Sequence, residues 1–166
     1  YEMTRACDLA CAHCRACAIR EPHPSELRAE QSRDLLAELA TFPRKPMVVL
    51  TGGDPMKRAD LLSLVAHGTS LGLAVSLAPA ATDLVTQDRL GAMRDAGLAS
   101  VAVSLDGRDA GTHDALRGVP GAFSAAVRVI RLCRDLGLPV QVNTVVNRAN
   151  LPQLDAIADL LADLGI

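Results

Sequence analysis

Lys45-Pro46-Met47-Val48-Val49-Leu50-Thr51 is a continuous apolar run halted by Gly52-Gly53, and it reads as a buried strand running into a tight turn. Three further runs have the same character: Leu73–Leu77 (LAVSL), Ser100–Leu105 (SVAVSL) and Pro139–Val146 (PVQVNTVV). Helical patterns separate them. Ser25–Thr41 places Leu27, Leu35, Leu36 and Leu39 on one face, with Ser25 as the expected N-cap. Arg58–Leu71, Thr86–Ala96, Ala122–Leu136 and Leu151–Leu164 follow, and Gly72, Gly97, Gly137 and Gly165 stand where helices end. Strand, helix, strand with short loops predicts parallel βαβ units. Apolar strands with little alternation suit a sheet covered on both faces or closed into a barrel.

Both ends read as cut. Tyr1–Thr4 suits the tail of a first strand, and Leu160–Ile166 a helix end poised before another strand. The expectation is one domain over residues 1–166, incomplete at both ends, whose open sheet has an uncovered edge. No low-complexity linker or charge block divides it.

Composition narrows the function. Hydrophobic residues are 49% and charged residues 22%, as in an ordinary globular protein. A formal net charge of −2 offers no general attraction to nucleic acid or to an anionic membrane. Aromatics are only 2%, which argues against a base-stacking surface. There is no signal peptide and no long apolar run, so no membrane partner is expected. Of five cysteines, four fall between Cys7 and Cys17, which is unlike a disulfide framework and suits a reduced, cytoplasmic metal site.

Cys7, Cys11 and Cys14 form C-x3-C-x2-C in the sequence CDLACAHC. Three thiolates within eight residues can hold three corners of one iron–sulfur cluster and leave one iron open, whereas electron carriers use four cysteines. In parallel α/β folds ligands gather at the carboxyl ends of the strands. The unusual polar clusters all fall there: the cysteines, Thr51-Gly52-Gly53-Asp54-Pro55, Ala78–Thr82, Ser104-Leu105-Asp106-Gly107, and Asn143 with Asn147. Five loops on one rim describe a shared pocket.

With CDLACAHC, TGGD one βα unit later and SLDG after the fourth strand, the chain resembles the radical S-adenosylmethionine (SAM) enzymes. The stretch SLDGRDAGTHDALRGVPGAF resembles the subgroup whose barrel carries a C-terminal cysteine-rich (SPASM-type) extension. That subgroup includes haem-pathway decarboxylases and enzymes that mature peptides. The resemblance implies a partial (β/α)6 TIM-like barrel with parallel strands, the radical SAM core domain. It implies a [4Fe-4S] cluster on Cys7, Cys11 and Cys14. The open iron would take the amino and carboxylate groups of SAM, and reductive cleavage would give a 5′-deoxyadenosyl radical that abstracts hydrogen from a substrate. The substrate class implied is a peptide or a tetrapyrrole-type precursor. A flavodoxin or ferredoxin would be the reducing partner.

The resemblance also implies roles for other residues. His13 would lie near the adenine. Gly52 and Gly53 would let backbone carbonyls approach the SAM ammonium, and Asp54 would add a carboxylate to it, in place of the Glu of the commoner GGE form. Ser104 and Asp106 correspond to positions near the ribose and methionine moieties. Asn143 would supply a polar contact to SAM, and Arg117 would balance its carboxylate.

Plainer readings stand beside these. Cys7, Cys11, Cys14 and Cys17 would make a structural zinc site, or a four-cysteine electron carrier, in an iron–sulfur or zinc module without SAM chemistry. A phosphate-type barrel enzyme with incidental cysteines is the third. Cys17 is expected to begin a helix and pack as a small residue, and Cys133 to be core. His113 and Asp114 would serve equally to cap and solvate a helix start.

Overall fold

In the computed structural model, which describes Tyr1–Ile166, the strands are β1 (Glu2–Thr4), β2 (Met47–Gly52), β3 (Ala74–Leu77), β4 (Ser100–Ser104) and β5 (Val140–Asn143). They form one parallel sheet in the order 1-2-3-4-5, with Leu50 beside Leu77 and Ser104 beside Asn143. The helices between them are α1 (Ala29–Ala40), α2 (Leu61–Ser70), α3 (Gln87–Asp95), α4 (Ala110–Arg117) and α5 (Ala122–Asp135); α6 (Leu154–Asp163) follows β5. Five strands in sequential order, each returned to the next by helical crossovers, make an open arc of a barrel.

The strands alternate more than their apolar look predicts. Val48 and Leu50, Val75 and Leu77, and Val101 and Val103 are buried together with Leu36, Leu64, Leu90 and Ile130 from the helices. The opposite side chains are small or polar: Thr51, Ala102, Ser104 and Asn143 line a cavity. Helices therefore cover one face, and the other face is the barrel interior. Helix α2 buries Leu61, Leu64, Val65 and Gly68, and α5 buries Ala126, Val129, Ile130 and Cys133, both at i, i+3, i+4, i+7 spacing. Each fully buried aliphatic side chain contributes about 1.5–3 kcal/mol. No helix is long and apolar enough to cross a membrane.

Three expectations differ. Helix α1 starts at Ala29 with Arg28 as N-cap, not at Ser25. The reason is Glu26, whose Oε1 accepts from Arg5 N (2.8 Å), His23 N (2.8 Å) and the Thr4 hydroxyl (3.0 Å). Held there, the Pro22–Arg28 segment clamps the exit of β1 and cannot join the helix. Cys17 begins no helix. It is exposed, in the left-handed region at φ 45°, and the chain stays irregular until α1. Helix α4, where the sequence reading allowed only a helix start at His113 and Asp114, runs two turns and ends on Gly118 at φ 70°.

Candidate active site at the strand ends

Beyond the carboxyl ends of the strands lies a cavity of about 300 Å³. Cys7, Cys11 and Cys14 share its wall with Gly52 and Gly53, with Ser104 and Asn143, and with His13 and Arg117. The cysteine loop reaches it because its start is clamped. Cys7 N donates to Ile19 O (2.8 Å), Ile19 N to Arg5 O (2.9 Å), and the Arg5 guanidinium holds the carbonyls of Ala16 (3.2 Å) and Cys17 (2.6 Å). Within the loop, Cys14 N donates to Cys11 O at 3.1 Å.

All three thiols are free, and each receives an N–H. Leu9 N donates to Cys7 Sγ (3.4 Å), Ala18 N to Cys14 Sγ (3.3 Å), and Arg117 Nη1 to Cys11 Sγ (3.8 Å). Such donors suit thiolate ligands of an iron–sulfur cluster. Cys7 is 7% exposed, and burial pushes its thiol above the ordinary value, so it is a poor free thiolate and needs a cation to hold its charge. No three His, Cys, Asp or Glu side chains converge where a single ion would be held. Thiolates that each bind a different iron need not converge so. Cys17 lies outside the cavity wall.

Of three buried side-chain nitrogens without a partner, two, His13 Nδ1 and Arg117 Nε, belong to side chains of the cavity wall, and the third, His67 Nε2, is on α2 away from it. A buried polar atom left unpaired is costly unless something fills the site. The donor set and these orphaned atoms together fit a cluster with a polar ligand beside it.

Gly52 and Gly53 are required by the protein's own backbone. A Cβ on Gly52 (φ 140°) would collide with the Thr4 carbonyl, and one on Gly53 with the Ala6 carbonyl. Gly53 N and Asp54 N donate to those same carbonyls, both at 2.7 Å. The glycines thus seat the root of the cysteine loop against the end of β2.

The two acidic residues of the rim sit beneath it. Asp54 is fully buried, accepts from Met56 N (3.0 Å) and the Thr82 hydroxyl (2.7 Å), and caps the turn at Pro55–Lys57. Asp106 is also fully buried; it pairs with Arg117 and accepts from Val145 N at 2.7 Å. Neither side chain lines the cavity. Asp106 N donates to His113 Nδ1 (3.0 Å), which leaves the neutral imidazole with its proton on Nε2. Burial, and then the neighbouring Arg117, hold His113 below its ordinary pKa, in keeping with that neutral form.

Sequence reading did not single out Asn150. Its fully buried amide donates to Asp106 O (2.8 Å) and Val145 O (2.9 Å), tying the loop after β5 to the end of β4. Only its position between Asn147 and a helix start hinted at it. Asn147 itself makes turn contacts to Ala149 and Asn150.

Known proteins place this architecture. The chain is 44% identical to an AdoMet-dependent heme synthase of Oleidesulfovibrio alaskensis, over 99% of this chain and 42% of that relative. It is 37% identical to a PqqA peptide cyclase of Rhodopseudomonas palustris, over 96% of this chain and 42% of the relative. It therefore spans less than half the length of these curated relatives. Among solved structures, Streptococcus suis SuiB bound to precursor peptide SuiA superposes with a TM-score of 0.83 at 19% identity, covering 99% of this chain and 36% of SuiB. These relatives and structures include SPASM-type enzymes. The model of the Radical SAM superfamily matches residues 1–161, and the chain belongs to that family, whose enzymes work with a [4Fe-4S] cluster and S-adenosylmethionine.

Proposed function

We propose that this chain is the core of a radical SAM oxidoreductase that abstracts hydrogen from a haem-pathway tetrapyrrole precursor. The observation that carries the reading is the set of three cavity-facing thiols, each with its own N–H donor, beside two buried nitrogens that lack partners. Cys7, Cys11 and Cys14 would hold the cluster. Bound there, cluster and SAM supply a one-electron reductive cleavage that yields a carbon radical able to abstract hydrogen.

The remaining chemistry of this chain is placement. Gly52 and Gly53 keep the loop root close, because a side chain at either would collide with the carbonyls of Thr4 and Ala6 that anchor it. Ser104, Asn143, His13 and Arg117 supply polar atoms at the wall. Asp54 and Asp106 act from beneath, holding the rim rather than touching the ligand. The buried aliphatic layer behind the strands keeps water from that side of the cavity.

Tetrapyrrole substrates are favoured over peptides because the heme synthase of O. alaskensis has the higher identity of the two relatives. A small one-electron carrier such as flavodoxin or ferredoxin would supply the electron. The test is anaerobic reconstitution of the full-length protein with iron and sulfide, followed by SAM and reductant. Addition of iron-coproporphyrin should raise 5′-deoxyadenosine release and change the porphyrin mass. Release stimulated by a peptide and unaffected by the porphyrin would overturn the substrate assignment.

A further inference from the structure

Helix α4 is fastened at its middle and at its C-terminal end. His113 and Arg117, one turn apart, both grip Asp106: the imidazole accepts from its backbone N–H at 3.0 Å, and the guanidinium pairs with its carboxylate. The last residues of α4 then hold the middle of the cysteine loop. Ala10 N donates to Arg117 O (3.1 Å) and Ala12 N to Leu116 O (3.0 Å), on either side of Cys11. Gly118 follows in the left-handed region, and a Cβ there would collide with the Ala10 carbonyl. The same Arg117 that is anchored on Asp106 donates through Nη1 to Cys11 Sγ at 3.8 Å.

We propose that α4 is the scaffold on which Cys11 is placed, and that Arg117 is a positioning residue that makes the cluster easier to reduce. The inference rests on the cluster reading of Cys7, Cys11 and Cys14. An N–H donated from a cation to a ligand sulfur favours the more negative, reduced cluster, so its removal lowers the reduction potential. The helix terminus offers Ala10 and Ala12 two carbonyls that α4 cannot satisfy internally, which fixes the loop without any side chain. Lys at position 117 would keep the charge, but a point donor cannot span both Asp106 and Cys11 as the guanidinium fork does.

The test uses the full-length reconstituted protein and follows the EPR signal that SAM perturbs, titrated by potential before SAM is added. Arg117→Met should shift that signal to a more negative potential, and Arg117→Lys should fall between it and the native protein. Gly118→Ala, which leaves every charge in place, should speed iron loss to a chelator roughly 10-fold or more by displacing the loop. Should Arg117→Met fail to fold, Arg117→Lys and Gly118→Ala decide the matter. A native-like potential in Arg117→Met or in Arg117→Lys overturns the role given to Arg117, and native-like iron retention in Gly118→Ala overturns the role of α4 as scaffold. A native protein that holds no cluster overturns the proposed function as well.

Discussion

Asp54 follows β2 and Asp106 follows β4, with β3 between them; both are fully buried, yet they are satisfied in different ways. Asp54 is satisfied by neutral donors, the Met56 amide and the Thr82 hydroxyl, so it ties the β2 loop to the β3 loop. Asp106 is satisfied by a cation, Arg117, whose other contacts run to the cysteine loop. The first carboxylate braces one side of the cavity. The second couples the sheet to the residues that would hold the cluster. A buried charge balanced by hydrogen bonds alone can lose one donor and keep others, whereas a charge pair leaves an uncompensated ion when either member goes.

That contrast predicts the largest effect for Asp106→Ala. It strands Arg117, whose side chain is 12% exposed, and should cost about 3–5 kcal/mol in chemical denaturation. Asp54→Ala should cost less, about 2–3 kcal/mol, since the groups left behind are neutral. Equal losses in the two variants would break the distinction.

Glu26 sharpens it further, as a carboxylate held by neutral donors. Its burial favours the uncharged form, but the amides of Arg5 and His23, the Thr4 hydroxyl and Arg58 outweigh that and lower its pKa. A depressed carboxylate contributes stability above its unfolded pKa and loses it as pH falls through the folded value. The melting-temperature gap between native protein and Glu26→Gln should therefore be widest near neutrality and shrink in acid. A gap independent of pH would contradict the charged form of Glu26. Smallest of all is Cys17→Ser, an exposed position outside the cavity, expected to change stability by less than about 0.5 kcal/mol and to leave iron content unaltered.

Much of this was readable in the chain. The runs at Leu73–Leu77, Ser100–Leu105 and Pro139–Val146 each contain a strand, that at Lys45–Thr51 covers all of β2 but its last residue, Gly52, and Gly72, Gly97, Gly137 and Gly165 all take positive φ after a helix. Both signals are local: burial makes the runs apolar, and only glycine is comfortable in a left-handed helix stop. The gathering of the cysteines with Gly52, Gly53, Ser104 and Asn143 was readable because parallel strands deliver their ends to one rim. What sequence did not disclose was long-range. Glu26 leaves the helical pattern to bind Thr4 and Arg5, twenty or so residues earlier in the chain. Asp54 and Asp106 read as groups aimed at a ligand, yet their partners, Thr82, Arg117 and Val145, draw them beneath the cavity. Asn150 supports the end of β4 from 44 residues away, a pairing no local pattern encodes.

The central claim is that Cys7, Cys11 and Cys14, and not Cys17, hold a cluster with one iron open to SAM. Its most direct test is the EPR spectrum of the anaerobically reconstituted, reduced full-length protein with and without SAM, in the native form and in Cys11→Ser. A cluster signal that SAM perturbs in the native protein and in Cys17→Ser, and that is lost in Cys11→Ser, is the predicted result. Stoichiometric zinc without such a signal, or a SAM-perturbed signal that survives in Cys11→Ser, would contradict the account.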